Sequence, residues 1–306
     1  MADRHPLFTF RELAERVAPG AALGEKRWKL VRHKHNSEHV PDLIDLFHFD
    51  RTAFEFYQAD QSSHVFRDCE GFFSFLGLPG GRGLFVGAYA VGEARQVRAD
   101  DLLGVPACLQ DHYKQHPERG ISTLFRYELA PSADFAPLEL RAVIDWGASM
   151  RSWQQWKLDK PVVELRDPSA LPECPALQDI EISLAKIAFL LEHEDANSSW
   201  RDKLSSVGGI YLLTDHKNSR LYVGQAGGSG GFWIRWKAYA RLRSGNVALD
   251  PAFEAGHLDR TQASLSILEV VPSGAMNKTR LNELESRWKQ RLCSRVSGYN
   301  RNVRVR

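Results

Sequence analysis

The sequence predicts an α+β protein of two domains, and three observations carry that expectation. Pro161, Pro168, Pro172 and Pro175 fall within fifteen residues and divide the chain. Proline disfavours helix and removes ladder donors, so such a stretch reads as a boundary. On its N-terminal side the chain reads mostly as short strands, and on its C-terminal side as a hairpin followed by helices. The charge also reverses: residues 201–306 hold 18 Lys and Arg against 8 Asp and Glu, leaving 22 against 30 in the remainder. The expected domains are 1–165, β-rich, and 179–306, α+β, with 166–178 as a Pro-rich linker. A length of 306 residues gives each domain enough chain for its own core.

The elements follow in order. Phe47–Phe49 and Phe54–Tyr57 are aromatic pieces that read as strands. Leu84–Val91 is a continuous apolar run behind the turn-rich Pro79–Gly83, which suits a buried strand. Leu124–Leu129 alternates apolar and polar residues, and Leu138–Asp145 does the same. Several short strands between Gly and Pro breaks suggest a small barrel or strongly bent sheet. After the prolines, Asp179–Glu192 carries Ile180, Leu184, Ile187 and Leu191 at helical spacing, so an amphipathic helix is expected there. Gly208–Thr214 and Arg220–Gln225 are β-prone runs around the polar Asp215–Ser219, the pattern of an antiparallel hairpin. Phe232–Arg243 and Asn277–Arg295 read as helices, the second with Leu281, Leu284, Trp288 and Leu292 as its apolar stripe.

Composition excludes several classes. No apolar run is long enough to span a bilayer, and the first residues hold no apolar leader, so a cytoplasmic location is expected. Cys69, Cys108, Cys174 and Cys293 share no Cys-x-x-Cys spacing, which argues against structural zinc and suits reduced thiols. His33 and His35 lack a partner cluster and read as a solvated turn. The basic C-terminal part points to a polyanion, DNA being the expected partner.

The most informative residues lie in that basic part. Alternation places Tyr211 and Leu213 on one face of the hairpin, and Tyr222 and Gly224 on one face, so two phenols can stand side by side. The glycine-rich Ala226–Gly231 lacks the lysine of a phosphate-binding loop and reads as a flexible connection. Arg235 and Tyr239 sit at i and i+4 on one helical face. Arg235 offers a planar fork suited to a phosphate. Lys237, Arg241 and Arg243 read as DNA-backbone contacts or solvated charge. On the last helix Glu285 falls at the margin of the apolar stripe, whereas Glu283 lies nearly opposite. A carboxylate at a core margin needs a partner, such as a divalent cation.

Gly209-Ile210-Tyr211, Tyr222-Val223-Gly224, Arg235 with Tyr239, Glu285 and Asn300 after Gly298-Tyr299 form an ordered set that resembles the GIY-YIG nuclease family over about residues 206–303. The resemblance implies a small antiparallel sheet flanked by helices and metal-dependent hydrolysis of a DNA phosphodiester. It implies catalytic roles for Tyr211, Tyr222, Arg235, Tyr239, Glu285 and Asn300. Glu285 is then the metal ligand, with Mg²⁺ or Mn²⁺ as cofactor, and Asn300 holds the site together. Tyr211 is the expected base, with Tyr222 and Tyr239 orienting water and phosphate. Two departures stand out: the long glycine-rich stretch before Arg235, and tyrosine at 239 where some relatives have histidine. The second resembles restriction-type members.

The N-terminal half says less. Tyr57 with Gln58, Trp146, and Trp153 place aromatics beside hydrogen-bonding groups and are candidates for stacking on and reading an extruded base. Leu84–Val91 resembles the PUA-like or EVE-like small barrels over that one strand. The expectation is therefore a DNA endonuclease of restriction type that recognises foreign or modified DNA, a homodimer if it cuts both strands together. The alternatives are a repair or mobile-element nuclease, or a DNA-binding module that keeps the fold without cleaving.

Overall fold

A computed structural model describes residues 8–33, 42–118, 120–147, 152–241, 245, 249–271 and 277–300. Two compact units emerge, Met1–Pro168 and Ser169–Arg306. Among the described residues no helix is long and apolar enough to cross a membrane, and the four cysteines are free thiols.

The first unit runs α1 (Phe10–Val17), β1 (Trp28–His33), α2 (Leu43–Phe49), α3 (Arg51–Ala59), β2 (Asp60–Gln61), β3 (Gly71–Leu78), β4 (Arg82–Arg98), α4 (Gln110–Glu118), β5 (Thr123–Pro131), β6 (Ala142–Asp145), β7 (Gln154–Gln155) and β8 (Val162–Leu165). Its sheet follows the order β2-β5-β4-β3-β1-β7, with β6 paired to β4 and β8 to β6. β1 and β3 are parallel and the other pairs antiparallel. Register shifts at Ser74/Phe75 and Val91/Ala94 bend the long β4, so the sheet curls as a half-barrel. Among the described residues β2 and β7 end the order. Phe10, Phe73, Phe75 and Phe85 fill one core, with Phe10 edge-on to Phe73 at 5.0 Å.

Two expected strands are helices. Phe47–Phe49 lies in α2 and Phe54–Tyr57 in α3. The Asp42 carboxylate accepts from the Ile44 and Asp45 amides, and that of Asp50 from the Ala53 amide. Both helix starts are thus capped, and this outweighs the aromatic preference for strands. Leu138–Asp145 is a strand only from Ala142, because Leu140 takes a left-handed φ of 60°.

The second unit runs β9 (Glu181–Ser183), α5 (Leu184–Glu192), α6 (Ser198–Ser205), β10 (Gly208–Asp215), β11 (Arg220–Ala226), α7 (Gly231–Ala240), α8 (Leu249–Glu254), β12 (Ala263–Val271) and α9 (Lys278–Arg291). Its four strands form an antiparallel sheet in the order β11-β10-β12-β9. The helix expected from Asp179 begins only at Leu184. Glu181–Ser183 instead pairs with Ser264–Ser266, and the Ser183 hydroxyl caps α5 by accepting from the Lys186 amide. The proline-rich stretch is fastened to α6. Asn197 accepts from the Leu171 amide and donates to the Ser169 carbonyl, both at 2.9 Å. Trp200 donates to the Pro172 carbonyl at 2.8 Å.

Candidate active site

The hairpin register sets the site. Tyr211 pairs with Gly224 and Leu213 with Tyr222, which puts both phenols on one face. Gly224 is there for steric reasons: a Cβ at this position would fall inside the Tyr211 phenol. That ring cannot retreat, because Phe232 and Trp236 stand edge-on behind it at 6.3 and 6.2 Å. Gly224→Ala should therefore overpack the site and cost about 1–3 kcal/mol, read as a lower urea midpoint. An unchanged midpoint would mean that Tyr211 does not lie across the hairpin. Gly209 is needed twice over, with φ 148° and no room for a Cβ beside the Glu269 carbonyl.

Helix α7 crosses this face and brings Arg235 and Tyr239 to the phenols. Arg235 Nε donates to Tyr211 Oη at 3.0 Å, and Nη2 donates to Tyr239 Oη at 3.1 Å. The two hydroxyls share a 2.6 Å hydrogen bond. Tyr211 and Tyr239 are both 0% exposed. Burial is the largest cause that pushes both phenols above their ordinary pKa, with nearby tyrosines adding to it. They stay protonated at neutral pH, so two neutral acceptors hold the guanidinium without neutralising it.

A cavity of about 750 Å³ opens beside this network, and Tyr222, Arg235 and Glu285 line it. Neither Tyr211 nor Tyr239 reaches it. Tyr211, the expected base, is sealed from the cavity, and its hydroxyl accepts from Arg235. Tyr222 is the phenol on the cavity wall. The glycine-rich connection forms another wall through Gly227, Gly228 and Ser229.

Helix α9 supplies Glu285 in the phase expected from its apolar stripe, with Leu281 and Leu284 buried. The Glu285 side chain is 17% exposed, and Lys289 Nζ lies 2.8 Å from its Oε2. Glu283 is 64% exposed and touches Arg280 only at 4.0 Å. Asn300 is buried and its amide is committed to the backbone of β11. Its Oδ1 accepts from the Val223 amide at 2.7 Å, and its Nδ2 donates to the Val223 carbonyl at 2.8 Å. It fastens the edge of the strand that carries Tyr222, and so acts on the site at one remove.

The other expected contacts fare differently. Lys237 is paired with Glu194 at 3.0 Å, and the same carboxylate accepts from Trp233. Arg241 is exposed at the end of α7, and Arg243 lies outside the described residues. In the first unit Trp146 is 0% exposed, and its indole donates to the Ser152 carbonyl at 2.7 Å. Gln58 is also 0% exposed and accepts from the Ser74 hydroxyl at 3.0 Å. Both side chains, expected as base contacts, lie in the core with internal partners. Tyr57 is half-buried, edge-on to His33 at 5.6 Å, and Trp153 packs on the cluster of Val31, Phe66 and Phe72. His33 is buried in β1, not in a solvated turn, and burial pushes its pKa down to about 4. His35 lies outside the described residues. Sequence reasoning missed Lys289, although a Glu followed four residues later by Lys is the signature of such a pair on a helix.

No family model and no curated protein matches the chain. Solved structures similar to part of it include the catalytic domain of the homing endonuclease I-TevI, at 27% identity over 30% of this chain and 95% of that one. A point mutant of the catalytic domain of the intron endonuclease I-TevI is similar at 28% identity, over 31% of this chain and 92% of that one. The TM-score is 0.25 for each. This is weak similarity to a nuclease catalytic domain.

Proposed function

We propose that this protein is a metal-dependent endonuclease that hydrolyses DNA phosphodiester bonds in the cavity between β11, α7 and α9. One observation carries the reading. A guanidinium fixed by two buried, neutral phenols is delivered to the same cavity wall as a third phenol and a carboxylate. Such a cation suits an anion whose charge grows during reaction, and a phosphodiester under attack is that kind of anion. The GIY-YIG-like order of these residues and the basic excess of residues 201–306 support the same reading.

Among the described residues no group of three or more His, Cys, Asp and Glu is placed to hold a metal. Mg²⁺ does not require one, since it commonly takes one or two carboxylates and keeps waters and substrate oxygens. Glu285, half-sheltered on the cavity wall, fits that role. When bound, the metal would supply Lewis-acid stabilisation of the leaving oxygen. The chain's own residues do the rest. Arg235 binds and orients the phosphate, Tyr222 in its phenolate form takes a proton from the attacking water and becomes the phenol, and Tyr211 and Tyr239 keep Arg235 in place. Asn300 holds β11, and with it Tyr222. Restriction of foreign or modified DNA is the finer proposal, supported by the presence of a separate first unit in addition to the one that holds the cavity.

The test is cleavage of plasmid, modified phage DNA and single strands with Mg²⁺ or Mn²⁺. Tyr222→Phe should lower the rate by about a hundredfold. Tyr211→Phe should in addition cost about 1–3 kcal/mol of stability, because it removes a buried hydrogen-bonding group. A normal rate for Tyr222→Phe would move the base elsewhere. No cleavage under any condition, with DNA still bound, would favour a binding module.

A further inference from the structure

Lys289 is unusual on its helix. Its side chain is 10% exposed, and its ammonium sits 2.8 Å from Glu285 Oε2, one turn away. The neighbouring pair on α9, Arg280 with Glu283, is 52% and 64% exposed and reaches only 4.0 Å, as a solvated pair does. A sheltered ammonium is costly unless paired, so Lys289 is held where it is by the Glu285 charge. Among the described residues Glu285 has no other ion-pair or hydrogen-bond partner.

We propose that Lys289 makes metal loading at Glu285 depend on bound DNA. The inference rests on the reading of Glu285 as the cation anchor. Coulomb's law gives the direction. Among the described residues Glu285 is the one carboxylate that lines the cavity; the Lys289 ammonium neutralises it, and Arg235 and Lys278 add positive charge to the same lining. A divalent cation arriving alone meets a site with no net negative charge and is bound weakly. A DNA phosphate brings the missing negative charge and supplies oxygen ligands, so cation and DNA bind together. Each then raises the affinity of the other by the same factor.

The experiment measures Mn²⁺ binding to the full chain by calorimetry and by electron paramagnetic resonance, with and without an uncut DNA duplex. Lys289→Met keeps the apolar stem and removes the charge. It should bind Mn²⁺ without DNA about tenfold more tightly than the natural protein, and the gain from adding DNA should shrink by the same factor. Lys289→Arg keeps the charge and should behave as the natural protein. If Lys289→Met proves unstable, Lys289→Gln gives the same comparison with a polar group in place. Unchanged or weaker Mn²⁺ binding in the charge-removing variant, with Glu285→Gln losing Mn²⁺ binding, would overturn the proposal while the anchor survives. Full Mn²⁺ binding by Glu285→Gln would instead remove Glu285 as the anchor.

Discussion

Arg235→Lys should fold and bind DNA normally but cleave at about one hundredth of the natural rate or less, the loss expected when a positioned transition-state donor is removed. The charge is retained in this variant, so long-range attraction for DNA is retained too. What is lost is the fork. Arg235 uses Nε on Tyr211 and Nη2 on Tyr239, and this double attachment fixes the plane in which the guanidinium meets the cavity. An ammonium has no plane to fix and cannot bridge two hydroxyls while also meeting a phosphate in a set direction. Arg235→Ala is the poorer experiment, because it strands two buried hydroxyls and costs stability as well as rate. The measurement is a single-turnover cleavage rate at saturating DNA beside a binding isotherm. A near-natural rate for Arg235→Lys would reduce the residue to a general phosphate contact, and the two buried phenols would then be packing alone.

The parts of this site that follow local periodicity are legible in the sequence. Alternation puts Tyr211 and Tyr222 on one hairpin face, and the 3.6-residue turn puts Arg235 beside Tyr239 and Glu285 at the edge of the apolar stripe. Depth is not legible in that way. Periodicity tells which face a side chain takes, whereas the sealing of Tyr211 depends on Phe232 and Trp236 of α7 closing over the sheet. That depth separates Tyr211, which is sealed, from Tyr222, which lines the cavity. The first unit shows the same limit. Trp146 carries a polar group suited to reading a base, and the fold satisfies it internally with the Ser152 carbonyl. In α2 and α3 the capping signal was present in Asp42 and Asp50, and it outweighed the aromatic composition.

Replacement of Glu285 has the other large effect, and the structure dictates which replacement to make. Glu285→Ala would leave the Lys289 ammonium sheltered and without its carboxylate, a destabilising change in its own right. Loss of cleavage in that variant would mix lost anchoring with lost folding. Glu285→Gln keeps a side-chain oxygen for Lys289 and the shape of the cavity wall, but removes the negative charge a divalent cation needs. It should cleave at least about a hundredfold more slowly at any Mg²⁺ concentration, with a smaller loss of stability than Glu285→Ala. Glu283→Ala is the paired control. That side chain is 64% exposed and lies on the outer face of α9, so its removal should change stability by less than about 0.5 kcal/mol and leave the rate alone. The two glutamates are two residues apart on one helix, so a general charge effect on DNA binding would touch both. Equal loss of cleavage in the two variants would therefore refute the helix phase, and full activity in Glu285→Gln would refute the carboxylate as the cation's anchor.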